Sequence, residues 1–177
     1  MLSLAVLFWM FIVLFAIIGS MRGWAKEILV SFSVILALAL IAVLENLVPV
    51  IKDVLKNGII RFWVEEIIVI IMVFFGYQTP KLASFTGRAG KREAIQDVLL
   101  GLILGAISGY LIVGSLWYYM HWGAYPIPYI TAPKPGDPYA STTEILLKYL
   151  PPTWIGKPPK IDIAVVLAFI FVIVVFI

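Results

Sequence analysis

The chain has 177 residues, of which 63% are hydrophobic and 13% charged, and its mean hydropathy is +1.07. Soluble domains carry roughly 45–50% apolar and about 25% charged residues, and so short a chain has too much surface to hide this excess from water. The composition excludes a soluble enzyme, and the lack of cysteine excludes disulfides, iron–sulfur clusters and zinc thiolate sites. A net charge of +3, spread over several loops without a basic run, argues against nucleic-acid binding.

The expected fold is an all-α integral membrane protein with four to five transmembrane helices, a short interfacial helix and a Pro-rich extramembrane loop. A spanning helix needs about 20 mostly apolar residues, because each residue advances ~1.5 Å across a hydrocarbon core of ~30 Å. Five segments meet or approach this length: residues 1–20, 28–44, 59–78, 97–119 and 161–177. The first lacks the basic start and the cleavage site of a signal peptide, so we expect it to remain as a helix.

The third and fifth segments are weaker spans than the others. Arg61, Glu65 and Glu66 crowd the start of the third, which crosses only if these charges lie at the interface. Arg61 and Glu65 are four positions apart, so they can pair on one helical face. The two glutamates can instead mark an ion or proton site, although their place at the edge of the span favours the interfacial interpretation. The fifth reaches about 25 Å, so either Asp162 lies at the interface or the sequence continues beyond Ile177.

Two segments between the spans differ from them in character. Residues 47–57 place apolar side chains at helical spacing with charged ones opposite, which fits a helix lying in the membrane plane or one packed on the spans. Residues 123–160 hold nine of the eleven prolines, which fix φ and remove hydrogen-bond donors. Within this ordered loop only 142–150 is predicted to be helical, with Thr142 or Thr143 as its cap.

Lysine and arginine counts give the orientation of the spans. The loops after the first and third spans carry six of these residues, whereas the loops after the second and fourth carry seven over a much longer stretch. The greater density of Lys and Arg places the loops after the first and third spans on the cytoplasmic side. The N-terminus and the Pro-rich loop are then outside, and the C-terminus is inside. The predicted organisation is a four-helix membrane domain over 1–122, the Pro-rich loop over 123–160 and a C-terminal transmembrane helix over 161–177.

Three glycines at four-residue spacing form a stripe in the fourth span, which begins at Asp97. They are Gly101, Gly105 and Gly109. Small residues let two backbones approach closely where lipid gives no hydrophobic drive for helix association. We interpret the stripe as a helix-packing interface, within the chain or with a partner; the alternative is that membrane helices simply tolerate glycine.

The connection between the first two spans contains Gly19, Arg22, Gly23 and Glu27. Glu27 can accept hydrogen bonds at the start of the second helix, or pair with a neighbouring Arg or Lys. On spacing alone, a simple hairpin anchored by charge at the membrane interface accounts for these residues.

The turn motif is Gly19-x2-Arg22-Gly23-x3-Glu27, and the span motif is Asp97-x3-Gly101-x3-Gly105-x3-Gly109. In this order they resemble the first loop and the glycine-rich span of the colicin V production protein family. The resemblance covers roughly residues 1–119, and Val98 and Ser108 stand where the family commonly carries basic residues. It implies a bacterial inner-membrane protein connected with toxin export and envelope upkeep, with no agreed biochemical activity. The Pro-rich loop and fifth span look like an addition to the four-helix pattern of that family.

No paired histidines and no HExxH, GxSxG, P-loop or dinucleotide motif occur, so we expect no enzyme, metal or cofactor. His121 can ligate a pigment or haem, but its aromatic neighbours favour an interfacial belt. The leading hypothesis is a non-enzymatic scaffold or accessory subunit of an energy-transducing or transport complex, in contact with lipids and with other membrane proteins or copies of itself. The alternative is a small oligomeric channel or transporter that uses Arg61, Glu65 and Glu66.

Overall fold

The computed structural model describes residues 3–47, 56–78, 91–128, 130, 132–133 and 140–176. Throughout these ranges the regular structure is helical, which confirms the all-α prediction. The helices are α1 Leu4–Arg22, α2 Trp24–Leu47, α3 Gly58–Tyr77, α4 Lys91–Trp122, α5 Ala140–Lys148, α6 Pro151–Trp154 and α7 Lys160–Phe176.

Local capping sets where several of these helices begin and end. The Ser3 hydroxyl accepts a hydrogen bond from the Ala5 N–H at 3.2 Å and caps α1, and the Asn57 side chain accepts from the Ile59 N–H at 3.0 Å and caps α3. Gly23 ends α1 with φ +86°, and its N–H donates to the Gly19 carbonyl at 3.0 Å. A residue with a side chain is strained at that φ, so glycine allows α2 to begin at once.

Three of the described helices are long enough and apolar enough to cross a membrane: Leu4–Arg22, Trp24–Glu45 and Ala94–Trp122. Because α3 carries Arg61, Glu65 and Glu66 and α7 has 17 residues, their crossing stays a prediction. The helices α2 and α4 begin four and six residues before the apolar segments predicted for them at 28 and 97. Hydropathy locates the apolar centre of a helix, whereas hydrogen bonding and capping set its ends.

The long helices pack as an antiparallel bundle with α4 in contact with α1, α2 and α3, while α7 packs on α2. At one end Gly19 of α1 meets Gly101 of α4, and at the other Phe8 of α1 meets Trp117 of α4, with ring centroids 5.5 Å apart. The end of α3 likewise lies beside the start of α2, where Gly76 faces Ser33. The bundle therefore has a turn end, with the α1–α2 connection, and an opposite end, from which the Pro-rich segment follows α4.

Buried apolar side chains form three clusters along the bundle. The central cluster joins α2 to α4, the second joins α1 to α4 at the opposite end, and the third joins α2, α3, α4 and α7. In that order they are built on Val30, Val34, Leu111 and Ile112; on Ala5, Phe8, Trp117 and Leu150; and on Ala37, Leu38, Ile41, Val69, Tyr119, Ile155 and Ile161.

The Pro-rich segment contains more helix than the sequence predicts. α5 is already helical at Ala140, so Thr142 and Thr143 lie inside it and the prediction that one of them caps the helix is wrong. α6 was not predicted, although proline suits the first turn of a helix because the N–H there needs no partner. Pro151 is buried against Gly114 of α4, where an added Cβ would lie 2.6 Å from the proline Cδ. Most of the predicted interfacial helix, residues 48–55, lies outside the described residues.

Candidate functional site

The α1–α4 contact at the turn end is a direct contact between backbones. A Cβ added to Gly105 would lie 2.4 Å from the Phe15 carbonyl oxygen and 2.9 Å from the Gly19 Cα. One added to Gly101 would lie 2.4 Å from the Gly19 oxygen, and one added to Gly109 would lie 2.6 Å from the Phe15 Cβ. All three glycines of the stripe therefore face α1 within the same chain, and Gly19 is the glycine that α1 supplies in return.

The same approach brings Asp97 of α4 onto the turn between α1 and α2. Its Oδ1 accepts a hydrogen bond from the Trp24 N–H at 3.2 Å, and a Cβ on Gly23 would lie 2.9 Å from its Oδ2. A carboxylate at a helix N-terminus satisfies a free N–H and opposes the positive end of the helix dipole. Asp97 of α4 therefore caps the N-terminus of α2, although it belongs to another helix.

A buried ion pair lies beside this turn. Arg22 Nη1 donates to Glu27 Oε1 at 2.7 Å, and the Glu27 side chain is fully buried whereas that of Arg22 is 20% exposed. The Arg22 guanidinium also lies 4.1 Å from the centroid of the Tyr77 ring, in the geometry of a cation–π contact. Arg22 therefore connects the end of α1 to α2 and to the end of α3. The sequence gives no sign that Tyr77 contacts Arg22.

Two serines and two unpaired polar atoms complete the surroundings of Glu27. The Ser108 hydroxyl donates to the Glu27 carbonyl oxygen at 3.2 Å and lies 3.0 Å from the Ser31 hydroxyl. Glu27 Oε2 and the Tyr77 hydroxyl are buried without a hydrogen-bond partner among the described residues. The site thus holds a buried carboxylate against one guanidinium, which joins three helices and leaves one carboxylate oxygen and one hydroxyl without a hydrogen bond among the described residues.

A second charged group lies at the opposite end of the bundle. Arg61 Nε donates to Glu65 Oε1 at 2.8 Å, and its Nη2 pairs with Glu45 at the end of α2. Glu66 is 9% exposed but takes no part in this network, because it lies on another face of α3. The structure therefore separates Glu66 from the two residues with which the sequence grouped it, and adds Glu45, which no spacing rule indicates.

His121 lies on the exposed end of α4. Its Nδ1 is 3.2 Å from the Tyr125 hydroxyl, and its ring packs edge-on against Trp122 and Tyr125. Across the described ranges, no group of three His, Asp or Glu side chains is placed to hold a metal ion. His121 therefore belongs to an aromatic cluster in this structure.

No protein-family model, curated protein sequence or solved structure matches this chain. The candidate site is therefore defined by its own contacts: the glycine contact, the Asp97 cap and the Arg22–Glu27 pair. These three lie together at the turn end and hold α1, α2, α3 and α4 in one arrangement.

We expect Gly105→Ala to destabilise the fold, because its Cβ would meet the Phe15 carbonyl oxygen. Overpacking of this kind costs about 1–3 kcal/mol, and Gly105→Leu should cost more by separating α1 from α4. Thermal unfolding in mild detergent measures the effect. The matched control is Gly58→Ala, since a Cβ there meets nothing within 4 Å. An unchanged melting temperature for Gly105→Leu would contradict the importance of this contact.

We expect Arg22→Met to destabilise the protein strongly, because it leaves the buried Glu27 carboxylate without its counter-charge. Removal of one member of a buried pair costs about 3–5 kcal/mol, whereas replacement of both by apolar groups is often close to neutral. The double variant Arg22→Met, Glu27→Met should therefore be more stable than Arg22→Met alone. A double-mutant cycle from thermal unfolding gives the coupling, and additive single effects would show that the pair is not coupled.

Proposed function

We propose that this chain is a multi-pass membrane protein of the colicin V production type, which acts without catalysis as a scaffold or accessory subunit of a larger energy-transducing or transport complex. The observation that carries the proposal is the meeting of the two motifs. Gly19 contacts Gly101 and Gly105, and Gly23 with Trp24 contacts Asp97. Residues that the sequence resemblance singles out in two distant segments thus form one packing site, as expected if they serve a common architecture.

The proposed membrane arrangement has five spans in a bacterial inner membrane. α3 has 20 residues and is therefore as long as α1, which has 19. It packs antiparallel to α2 along the bundle. Pairing of Arg61 with Glu45 and Glu65 lowers the cost of placing these charges near the membrane surface. α7 packs along α2, and the centroid of the Phe169 ring lies 5.0 Å from that of Phe32. The N-terminus and the Pro-rich segment are assigned to the outside.

Exposed aromatic side chains on α3 support contacts with other membrane proteins. The glycine stripe is already occupied by α1, so a partner must bind another face. α3 directs Trp63, Phe74 and Phe75 outward, each at least half exposed. Arg61, which is also partly exposed, lies near the start of the same helix and on a different face from Trp63. Aromatic side chains are enriched at protein–protein interfaces, and their exposure on α3 supports a contact of this kind.

The second candidate function is a small oligomeric channel or transporter. It is favoured by one observation: Glu66 is only 9% exposed and has no hydrogen bond or ion pair in the described part of the chain. Arg61 and Glu65, which this function would also use, are engaged with each other. The accessory-subunit proposal therefore accounts for more of the charged residues.

Single-cysteine labelling tests the five-span arrangement, since the natural chain has no cysteine. In intact spheroplasts, a membrane-impermeant maleimide should label Tyr149→Cys, and it should label Met21→Cys only after permeabilisation. Both parent side chains are well exposed, at opposite ends of the bundle. Ile70→Cys, in the middle of α3, should stay unlabelled in both conditions if α3 crosses the membrane. Labelling of Ile70→Cys, or labelling of both ends from one side, would contradict the arrangement.

Purification of the tagged full-length chain in mild detergent tests the accessory-subunit proposal. We expect a stoichiometric set of other membrane proteins, identified by mass spectrometry and by the absorption spectrum of the eluate. The variant Trp63→Leu, Phe74→Leu should lose these partners while keeping its melting temperature, because both side chains point away from the bundle.

The matched control is Trp9→Leu, since Trp9 is an exposed tryptophan on the outward side of α1. It should keep the partners. A chain that migrates as a free monomer overturns the proposal, and a homo-oligomer without other proteins favours the channel instead.

A further inference from the structure

Glu65 and Glu66 are neighbours in sequence but lie in different surroundings. Successive positions on a helix point about 100° apart, so two adjacent side chains face different elements. Glu65 faces Arg61 and is hydrogen-bonded to it at 2.8 Å. Glu66 faces α1 and α4, where within the described part of the chain it has neither a hydrogen bond nor an ion pair.

Glu66 lines a cavity of about 240 Å³ between α1, α3 and α4 at the end opposite the turn. Apart from Glu66, the described residues that line it are all apolar or aromatic. Four rings contribute to the wall, those of Phe8, Phe11, Phe62 and Trp117, and Ile127 of the following segment closes part of it. Sites for drug-sized ligands have volumes of roughly 300–1,000 Å³, so the occupant of this cavity is smaller than that.

The Glu66 carboxylate and the apolar, aromatic lining of the cavity together indicate which kind of ligand would bind there. A carboxylate without a partner on the wall of an apolar cavity is costly, and a cation that enters the cavity supplies the missing counter-charge. Aromatic faces attract ammonium groups and also cover an apolar body. The ammonium of a phospholipid headgroup fits less well, because the phosphate next to it would find no cation in this lining and a single donor, the indole N–H of Trp117.

We propose that the cavity between α1, α3 and α4 binds a small organic ammonium ion with an apolar body, and that the Glu66 carboxylate pairs with its charge. The occupant is a freely diffusing amine. The inference is independent of the partner contacts proposed above, because it involves an inward face of the bundle.

Binding of 2-phenylethylamine to the full-length chain in phosphatidylcholine nanodiscs tests the proposal by isothermal titration calorimetry. The neutral comparison ligand is 2-phenylethanol, which has nearly the same shape and no charge. We expect saturable one-to-one binding of the amine, and binding of the alcohol at least tenfold weaker. Glu66→Gln should weaken amine binding at least tenfold and leave the weak alcohol binding unchanged. Glu144→Gln, the same change on the exposed surface of α5, should bind the amine like the natural chain.

A second variant guards against a folding defect. Leu7→Trp keeps Glu66 but fills the cavity, and it should also lose amine binding while the melting temperature shows that the protein is folded. Absence of saturable binding to the natural chain overturns the proposal, as does equal binding of amine and alcohol or unchanged amine binding in Glu66→Gln. Competition by phosphatidylethanolamine placed in the nanodiscs would identify a lipid headgroup as the occupant and overturn the assignment to a free amine. None of these results affects the co-purification test.

Discussion

Lipid solvates an apolar helix about as well as another helix does, so membrane helices associate only where their surfaces fit closely or polar groups pair. In this chain the closest fit is between Gly19 of α1 and Gly101 and Gly105 of α4, where backbone meets backbone. That close approach fixes the position of the α1–α2 turn relative to the first turns of α4. Asp97 then reaches the Trp24 N–H, which it could not do if any side chain separated the two helices.

Charge placement in the bundle follows from this packing. Arg22 is carried to the turn end, where it meets Glu27 of α2 and the Tyr77 ring of α3, so a single guanidinium joins three helices. Arg61 has the equivalent position at the opposite end, between Glu45 of α2 and Glu65 of its own helix. Each arginine neutralises a buried or half-buried carboxylate, which is the condition for keeping such groups in a medium of low dielectric constant.

The sequence predicted the parts of this structure that depend on local pattern. Hydropathy located the helices, and four-residue spacing picked out Gly101, Gly105 and Gly109. What it missed depends on contacts between segments. Glu45 meets Arg61 only because of where α2 ends and α3 begins, and neither Tyr77 nor Ser31 carries a local signal for its contact. α6 was missed because proline density argues against helix in general, whereas proline at the first turn favours it.

Because α1 occupies the glycine stripe of α4, a partner cannot dock on that stripe. Substitutions along the stripe would lower association by unfolding the protein, whatever surface a partner uses. The outward surface of α3 is different, because Trp63 and Phe74 can change without opening the α1–α4 contact. Glu66 is different again, since it lines the cavity between α1, α3 and α4 but forms no hydrogen bond or ion pair in the described part of the chain. Removal of its charge therefore breaks no described bond and removes the cost of placing a charge there. The proposed assembly and the proposed ligand binding therefore involve residues other than those that hold the fold, so each can be tested by its own substitution.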